Sequence, residues 1–462
     1  MTKDENENEN EFEAAFRAMF AERSQDVTVG TAPYRAVRQR ILTARRRRRQ
    51  RVGSAGAALA VAAVGIGVWA VAGSSGPQSV GPAKPGNTSS PAMPTPQRSG
   101  PTRYYYDDGK TELPAGPLRE AAAAYLEANY RGDLKGLSIV TTFDRAEQSA
   151  AEALKSPNDV GLAALDPKTG YVKVLRGPWD RPVQIADTMK PIVLAAAFET
   201  GHYTPDTVEP ANADKHPVYW HDGDKMPLTY VDPQTHKARN WPPEHNDATV
   251  VGDLRISLRA ATATAANAPF AYAGMASDVG VLKVLSTAVT LGIPRDAPDL
   301  QAVPSIVMGV SEASPLTMAT VYGVFADGGV RHDPVLVSAV TDATGATVWK
   351  PDTTGKGVLS QNTATEITSV LNSVVTTGTA SGRDDVRALG RLGMVGMPGT
   401  ADNSHSAWFD GYSPDLVTSV ALSRVDAGGT PRPLIGEPGG SPVSGSTVVA
   451  PLWAQFANQF AH

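Results

Sequence analysis

A run of 22 residues without a charged side chain, residues 52–73, constrains the architecture of this chain more than any other feature. A helix of about this length spans a hydrocarbon core of about 30 Å. An arginine-rich stretch, residues 45–51, precedes the run, and a neutral stretch rich in Gly, Ser and Pro follows it. Because arginine favours the cytoplasmic side of a membrane, the pattern predicts a single-pass cell-membrane protein. Its N-terminus is expected in the cytoplasm and its C-terminal part outside the membrane.

Two other interpretations of this region are weaker. Residues 70–72, Ala-Val-Ala, resemble a signal-peptidase site, but the charged stretch before the apolar run is far longer than that of an ordinary signal peptide. An arginine run can also bind nucleic acid. Its position directly before the apolar run favours a role in topology instead, and we expect no nucleic-acid partner.

The composition predicts four regions. Residues 1–51 are highly charged and are expected to form a cytoplasmic tail, and residues 52–73 form the membrane helix. Residues 74–116 are rich in Gly, Ser, Pro and Thr, as is typical of a linker. Residues 117–462 are expected to fold into one domain. The chain contains no cysteine, which excludes a disulfide framework and a cysteine metal site.

The fourth region alternates strand and helix patterns. Residues 160–165 and 171–175 flank a turn with proline at its second position, which predicts a hairpin. A second hairpin is predicted from residues 335–341 and 347–350. Helical patterns cover 254–270, 279–291, 315–326, 363–375 and 449–460, and further strand patterns cover 407–412 and 416–423. Hairpins with helices between them predict an α+β fold, in which helices cover both faces of an antiparallel sheet.

Several short motifs suggest a family when they are taken in order. They are Asp-Arg-Ala-Glu-Gln at 144–148, Leu-Asp-Pro-Lys-Thr-Gly at 165–170, Ser-Pro-Leu-Thr-Met-Ala at 314–319, Phe-Ala-Asp-Gly-Gly at 325–329, Gly-Thr-Ala at 378–380, Ala-Trp-Phe-Asp-Gly-Tyr at 407–412 and Ala-Pro-Leu-Trp at 450–453. This ordered set resembles the transpeptidase domain of penicillin-binding proteins over residues 120–460. The resemblance implies a serine that attacks a D-Ala-D-Ala peptide bond through an acyl-enzyme. It implies three site motifs, S-x-x-K, S-x-N and K-T/S-G.

The S-x-x-K position falls on Asp187-Thr188-Met189-Lys190, at the start of an apolar run. The lysine is retained and the serine is Asp187. Residues three apart on a helix share a face, so Asp187 and Lys190 are expected to form an ion pair. A carboxylate is a weak nucleophile toward an amide. The hydroxyl of Thr188 should point about 100° away around the helix, so Thr188 is not expected to replace the serine.

The S-x-N position falls on Ala265-Ala266-Asn267. The resemblance implies that a serine at Ala265 would relay a proton and that Asn267 hydrogen-bonds the substrate amide. Asn267 is retained and Ala265 has no hydroxyl. An asparagine at the end of a helix is equally explained as a helix cap.

The K-T-G position falls on Met397-Pro398-Gly399-Thr400. The resemblance implies that a lysine at Met397 and a hydroxyl at Pro398 would bind the substrate carboxylate. Pro398 cannot donate a backbone hydrogen bond, and a proline in a strand belongs at an edge or a bulge. Thr400 is retained, and its N–H could still contribute to an oxyanion hole.

The region between residues 202 and 250 holds many polar side chains that could suggest a metal site. Their spacings match no compact ligand pattern, and solvated surface is the better interpretation. No metal and no cofactor are expected. These side chains are His216, His221, Asp222, Asp224, His236 and His245.

The motifs together predict a preserved scaffold with an altered site. The site lacks the nucleophile, the proton relay, the cation and one hydroxyl, and it gains the anion of Asp187. We therefore expect a catalytically inactive pseudo-transpeptidase of the cell envelope that binds a peptidoglycan stem peptide or an envelope protein. The alternative is an active D,D-transpeptidase or carboxypeptidase of peptidoglycan synthesis with a non-standard nucleophile.

Overall fold

The structure, a computed structural model, describes residues 100–220, 224, 226–232, 236–243, 254–401, 404–436 and 442–460. The predicted cytoplasmic tail, the predicted membrane helix and most of the predicted linker lie outside the described residues. The chain divides into two units, Met1–Met93 with Pro233–Lys237, and Pro94–Asp232 with Ala238–His462. Every feature discussed below lies in the second unit.

The described residues contain short strands and mostly short helices. The strands are β1 Arg103–Tyr105, β2 Ser138–Thr141, β3 Asp159–Leu165, β4 Val172–Arg176, β5 Val183–Gln184, β6 Val208–Pro210, β7 Thr229–Val231, β8 Ala238–Asn240, β9 Arg255–Ser257, β10 Glu312–Ala313, β11 Val330–Arg331, β12 Val337–Thr341, β13 Thr347–Trp349, β14 Lys356–Gly357, β15 Val395–Thr400, β16 Ser406–Tyr412 and β17 Val417–Ser423. The helices are α1 Pro117–Asn129, α2 Arg145–Ala153, α3 Lys190–Phe198, α4 Leu258–Ala263, α5 Ala268–Met275, α6 Gly280–Leu291, α7 Pro315–Ala326, α8 Gln361–Thr376, α9 Asp384–Arg391 and α10 Ala450–Ala457.

The central sheet has five antiparallel strands in the order β15-β16-β17-β3-β4. Along β16, Tyr412 packs edge-on against Tyr322 of α7, whereas Phe409 packs against Trp453 of α10. Residues 409 and 412 point to opposite faces of a strand, so α7 and α10 cover opposite faces of the sheet. The predicted α+β class and the β3–β4 hairpin are confirmed.

A second sheet orders its strands β1-β2-β12-β13 and contains the second predicted hairpin, β12–β13. Its strand β1 corrects the predicted boundary between linker and domain. Residues 103–105 were expected in the linker, but they pair in parallel with β2, and the side chain of Tyr104 is only 6% exposed. Residues 104–106 are three consecutive tyrosines, whose apolar surface can pack into a domain. The prediction followed the Gly, Ser and Pro content of the flanking sequence and therefore missed this strand.

The helix predicted over residues 254–270 is wrong. The structure has β9 and α4 there, then a break, and α5 begins at Ala268. The break carries the residues of the S-x-N position, and its geometry is described below.

The helix that begins near Asp187 is central to the fold. It starts as a 3₁₀ turn, Ala186–Met189, and continues as α3, in which every residue is buried. A helix that is apolar all round belongs in the interior of a protein. Pro191 lies in its first turn, where no helical N–H is lost.

Among the described residues, no single helix is long and apolar enough to cross a membrane. The helices α5 and α6 meet the length and composition criteria only as a pair, and that pair is bent by 96°.

Candidate active site

The 3₁₀ turn before α3 is held at its start by main-chain hydrogen bonds. The N–H of Ile185 donates to Ser311 O at 3.0 Å, and the N–H of Ala186 donates to Gly309 O at 2.9 Å. Ala186 has a φ of 51°, in the left-handed region. A Cβ on Gly309 would lie 1.8 Å from the carbonyl oxygen of Ala186. This close approach requires glycine at position 309.

Asp187 and Lys190 form the ion pair that their spacing predicts. Lys190 Nζ lies 2.9 Å from Asp187 Oδ1, with the lysine side chain 0% exposed and the aspartate side chain 12% exposed. The carboxylate therefore occupies a position beside the lysine, within the distance at which a nucleophile contacts its base.

The ammonium group of Lys190 also contacts the S-x-N position. Lys190 Nζ donates to Ala265 O at 2.8 Å and to Asn267 Oδ1 at 3.0 Å. Together with Asp187 these acceptors match the three hydrogens of an ammonium group. Burial lowers the pKa of Lys190 from its ordinary value, and the charge of Asp187 opposes that shift. The lysine is thus held by its neighbours rather than directed at a ligand.

The carbonyl of Ala265 is aimed at Lys190 by the way in which α4 ends. The N–H of Ala266 donates to Ala261 O at 2.9 Å, and the N–H of Ala265 donates to Thr262 O at 3.2 Å. These two bonds define a Schellman motif, which needs a left-handed residue after the helix. Ala265 is that residue, with a φ of 56°.

Asn267 stands at the N-cap position, directly before α5, yet its side chain makes no helix-capping hydrogen bond. Its carboxamide oxygen accepts from Lys190 at 3.0 Å, and its Nδ2 donates to the carbonyl of Pro243 at 2.8 Å. The capping explanation considered from the sequence is therefore wrong, because both ends of the side chain are used elsewhere.

The strand β15, which carries the K-T-G position, lies at the edge of the central sheet. Pro398 accordingly occupies an edge strand, where a missing N–H breaks no inner ladder. Met397 is fully buried and is paired with Asp410 of β16. A Cβ on Gly399 would lie 2.9 Å from Ile185 O and 3.0 Å from Thr188 Cγ2. The absence of a side chain at Gly399 thus lets the strand approach the Asp187 turn.

Thr400 is tied to the C-terminal part of the chain. Its hydroxyl accepts a hydrogen bond from the N–H of Gly445 at 3.0 Å, at the start of the π-helical turn Gly445–Val449. A Cβ on Gly445 would lie 2.6 Å from both the nitrogen and the oxygen of Gly399. The turn therefore packs directly on the K-T-G strand.

Thr188 is fully buried, and its hydroxyl donates to Ile185 O at 2.8 Å. Its own carbonyl accepts a bond from the Tyr322 hydroxyl at 3.0 Å. The hydroxyl next to Asp187 is therefore a structural group in the core, in agreement with its predicted direction away from the site.

Asp410 was not singled out by the sequence reasoning. It is 0% exposed, and its Oδ1 accepts from the Ser419 hydroxyl at 2.5 Å, whereas no hydrogen-bond partner lies at Oδ2. Burial raises its pKa to about 7, against the opposing effect of the hydrogen bond from Ser419. The one available signal was an acidic residue inside an aromatic strand pattern, Trp-Phe-Asp-Gly.

Of the six polar residues weighed as metal ligands, His221, Asp222 and His245 lie outside the described residues. Within the described part of the chain, no group of three or more His, Asp or Glu side chains could hold a metal ion.

Replacing Asp187 by alanine should destabilise the fold. At neutral pH we expect the free energy of unfolding to fall by about 3 kcal/mol, because Lys190 would keep a buried charge without its counter-ion. Loss of Asp187 should depress the pKa of Lys190 further, so the folded state would release a proton that the unfolded state retains. The deficit should therefore shrink as pH rises toward about 10.4, the ordinary pKa of lysine. Denaturant unfolding over this pH range measures the effect.

Asp415→Ala, which removes the exposed ion pair with Lys168, is the control and should leave the unfolding midpoint unchanged. An Asp187→Ala protein as stable as the parent at neutral pH would show that the buried pair does not contribute as described.

Comparisons with known proteins find related sequences and structures. Residues 293–433 match the family model described as the penicillin binding protein transpeptidase domain. Penicillin-binding protein 2D of Bacillus subtilis is 27% identical over 342 residues, which cover 69% of this chain and 44% of that protein. Penicillin-binding protein 1A of Neisseria meningitidis is 29% identical over 293 residues, covering 58% of this chain and 34% of that one. The chain thus spans less than half the length of these relatives.

Solved structures show the same fold. The penicillin-binding protein PonA1 of Mycobacterium tuberculosis aligns with a TM-score of 0.57 at 20% identity, covering 74% of this chain and 90% of that one. A D,D-transpeptidase domain from Eggerthella lenta aligns with a TM-score of 0.58 at 18% identity, covering 78% and 98%. These alignments include the five-stranded sheet between α7 and α10 within a shared overall fold. The described residues thus share the fold of these transpeptidase domains, and residues 293–433 match the model of the penicillin binding protein transpeptidase domain.

Proposed function

We propose that this domain is a non-catalytic pseudo-transpeptidase of the cell envelope that binds a peptidoglycan stem peptide, with an envelope protein as the alternative ligand. Residues 52–73 anchor the chain in the cell membrane, the N-terminal tail lies in the cytoplasm, and the domain lies on the outer side. The support for this topology is the uncharged run and its arginine flank.

The observation that carries the proposal is Asp187 at the nucleophile position, 2.9 Å from a fully buried Lys190. A carboxylate attacking an amide would form a mixed anhydride, which lies higher in energy than the ester that a serine forms and which water cleaves quickly. The neighbouring hydroxyl of Thr188 is buried and hydrogen-bonded to Ile185 O. A covalent route therefore has no suitable nucleophile at this turn.

Ligand binding is supported by the parts of the site that are retained. The edge strand β15 keeps Gly399 and Thr400 beside the Asp187 turn, and Asn267 keeps its carboxamide at the S-x-N position. The change to Met397 removes a cation. A ligand would therefore be recognised through its peptide groups more than through a terminal carboxylate.

The full-length chain incubated with a penicillin should show the mass of the unmodified protein by intact-mass spectrometry. The reason is that Asp187 cannot form a lasting acyl-enzyme. A penicillin-sensitive transpeptidase treated in parallel provides the positive control. A stoichiometric adduct mapped to any residue of this chain would end the proposal of a non-catalytic domain and favour an enzyme with a non-standard nucleophile.

Binding is tested by passing the full-length chain over immobilised stem peptides. We expect retention that free stem peptide competes away. No retention, combined with no recovered envelope protein in a crosslinking experiment, would contradict the ligand-binding role.

A further inference from the structure

The amide nitrogen of Asn267 is already occupied by the chain itself. Its Nδ2 donates to the carbonyl oxygen of Pro243 at 2.8 Å, while its Oδ1 accepts from Lys190 at 3.0 Å. Pro243 offers a main-chain carbonyl, which is the same chemical group that a peptide ligand would present. An asparagine amide with both hydrogen-bonding ends engaged has reduced capacity for a further partner.

The segment that delivers this carbonyl, residues 238–243, is fixed at several points. The N–H of Trp241 donates to Leu228 O at 2.8 Å, and the Trp241 side chain is 9% exposed. The side chain of Asn240 donates to Ala213 O at 3.1 Å. The carbonyl of Pro243 is therefore presented by an anchored segment.

The chain between α3 and α4 makes a second main-chain contact near Asn267, with helix α5. The hydroxyl of Tyr272, on α5, donates to the carbonyl oxygen of His216. The chain between α3 and α4 thus contacts Asn267, at the N-terminal end of α5, and Tyr272, five residues further on. Two such contacts place this part of the chain over the S-x-N end of the site.

We propose that the 238–243 segment is an internal occupant of the site, a latch whose Pro243 carbonyl takes the place of a ligand carbonyl at Asn267. A peptide whose carbonyl binds Asn267 Nδ2 in the place of the Pro243 carbonyl must first displace this segment. The identity of the competing peptide rests on the proposed function, but the latch itself is a property of the free protein and is tested without any ligand.

The first experiment compares hydrogen–deuterium exchange of the full-length chain with that of its Asn267→Asp variant. Aspartate keeps the oxygen that accepts from Lys190, and it replaces the amide that donates to Pro243 by a second oxygen that repels the carbonyl. The substitution is nearly isosteric, so the fold should persist. Loss of the Asn267–Pro243 hydrogen bond should speed exchange at the Trp241 amide about tenfold. The reason is that one hydrogen bond changes the equilibrium between the closed and the open segment by roughly that factor.

Asn372→Asp is the matched control, because Asn372 Nδ2 also donates to a main-chain carbonyl, that of Gly390, at 3.3 Å. It should leave exchange across residues 238–243 unchanged. Unchanged exchange at the Trp241 amide in the Asn267→Asp protein would overturn the latch.

The second experiment measures binding of an N-acylated Lys-D-Ala-D-Ala tripeptide to the parent chain and to Trp241→Ala, which removes the buried anchor of the segment. If the latch exists, Trp241→Ala should bind the tripeptide about tenfold more tightly than the parent. The double variant Trp241→Ala, Asn267→Asp should not show this increase in affinity. Equal, measurable binding by parent and variant would overturn the latch. Faster exchange in Trp241→Ala with no tripeptide binding by either protein would support the latch and count against the stem peptide as the ligand.

Discussion

Restoring four side chains should convert this domain into one that penicillin acylates. We expect the variant Asp187→Ser, Ala265→Ser, Met397→Lys and Pro398→Thr to form a stable acyl-enzyme. The reason is that the surrounding frame is retained: Lys190 lies where it would contact a hydroxyl at position 187, and Asn267 accepts from that lysine. Catalytic groups that act as a unit change rates by several orders of magnitude, so a gain of at least about 10³-fold in acylation rate is expected.

The control is the same protein with Asp187→Ala in place of Asp187→Ser, which differs only in the nucleophile and should show no adduct. Intact-mass spectrometry over a time course gives the rate. If a folded serine variant also shows no adduct, the spacing of Lys190 from position 187 is not a catalytic spacing.

The neighbourhood of Met397 adds a condition to this experiment. Met397 is paired with Asp410 across the β15–β16 ladder, and side chains of such pairs lie about 5 Å apart. A lysine introduced at Met397 would therefore divide its contacts between Asp410 and a ligand. Adding Asp410→Val to the restored variant should raise the acylation rate further.

The second large effect concerns Asp410 itself. Its pKa of about 7 in the folded protein exceeds the unfolded value of about 3.9 because the carboxyl is buried. The stability it contributes is complete below about pH 3.9 and is lost as pH rises through about 7. The difference of three pKa units corresponds to about 4 kcal/mol at alkaline pH, as an upper bound.

Asp410→Asn should therefore be more stable than the parent above neutral pH, and the advantage should vanish in acid. Denaturant unfolding at a series of pH values measures the difference between the two proteins. Burial also raises the pKa of Glu147 to about 7. Glu147 is present in both proteins, so its contribution to the pH dependence cancels in the difference between them. A difference that does not change with pH would show that Asp410 does not titrate as described.

Local patterns predicted most of the scaffold. The β3–β4 hairpin follows from a proline turn between two apolar runs, and α3 follows from its continuous apolar run after Lys190. The contact between Asp187 and Lys190 follows from their spacing alone.

Other features depend on interactions that local patterns do not encode. The break between α4 and α5 uses Ala265 where glycine is the usual signal, so the sequence there looks like a continuous helix. The burial of Asp410 depends on the position of β16 inside the central sheet, between β15 and β17. The contact of Asn267 with Pro243 joins residues 24 positions apart through an irregular segment.

The two left-handed alanines, Ala186 and Ala265, have a consequence for ligand recognition. Each occupies a conformation that costs a non-glycine residue about 1 kcal/mol and that a glycine would adopt without that cost. Neither turn has the extra conformational freedom in the unfolded chain that glycine would bring. The Asp187 turn and the carbonyl that supports Lys190 are thus preorganised. A ligand that displaces the 238–243 segment then meets two turns that are already ordered. Differences in affinity among such ligands should therefore reflect their direct contacts, because little entropy is lost in ordering the protein.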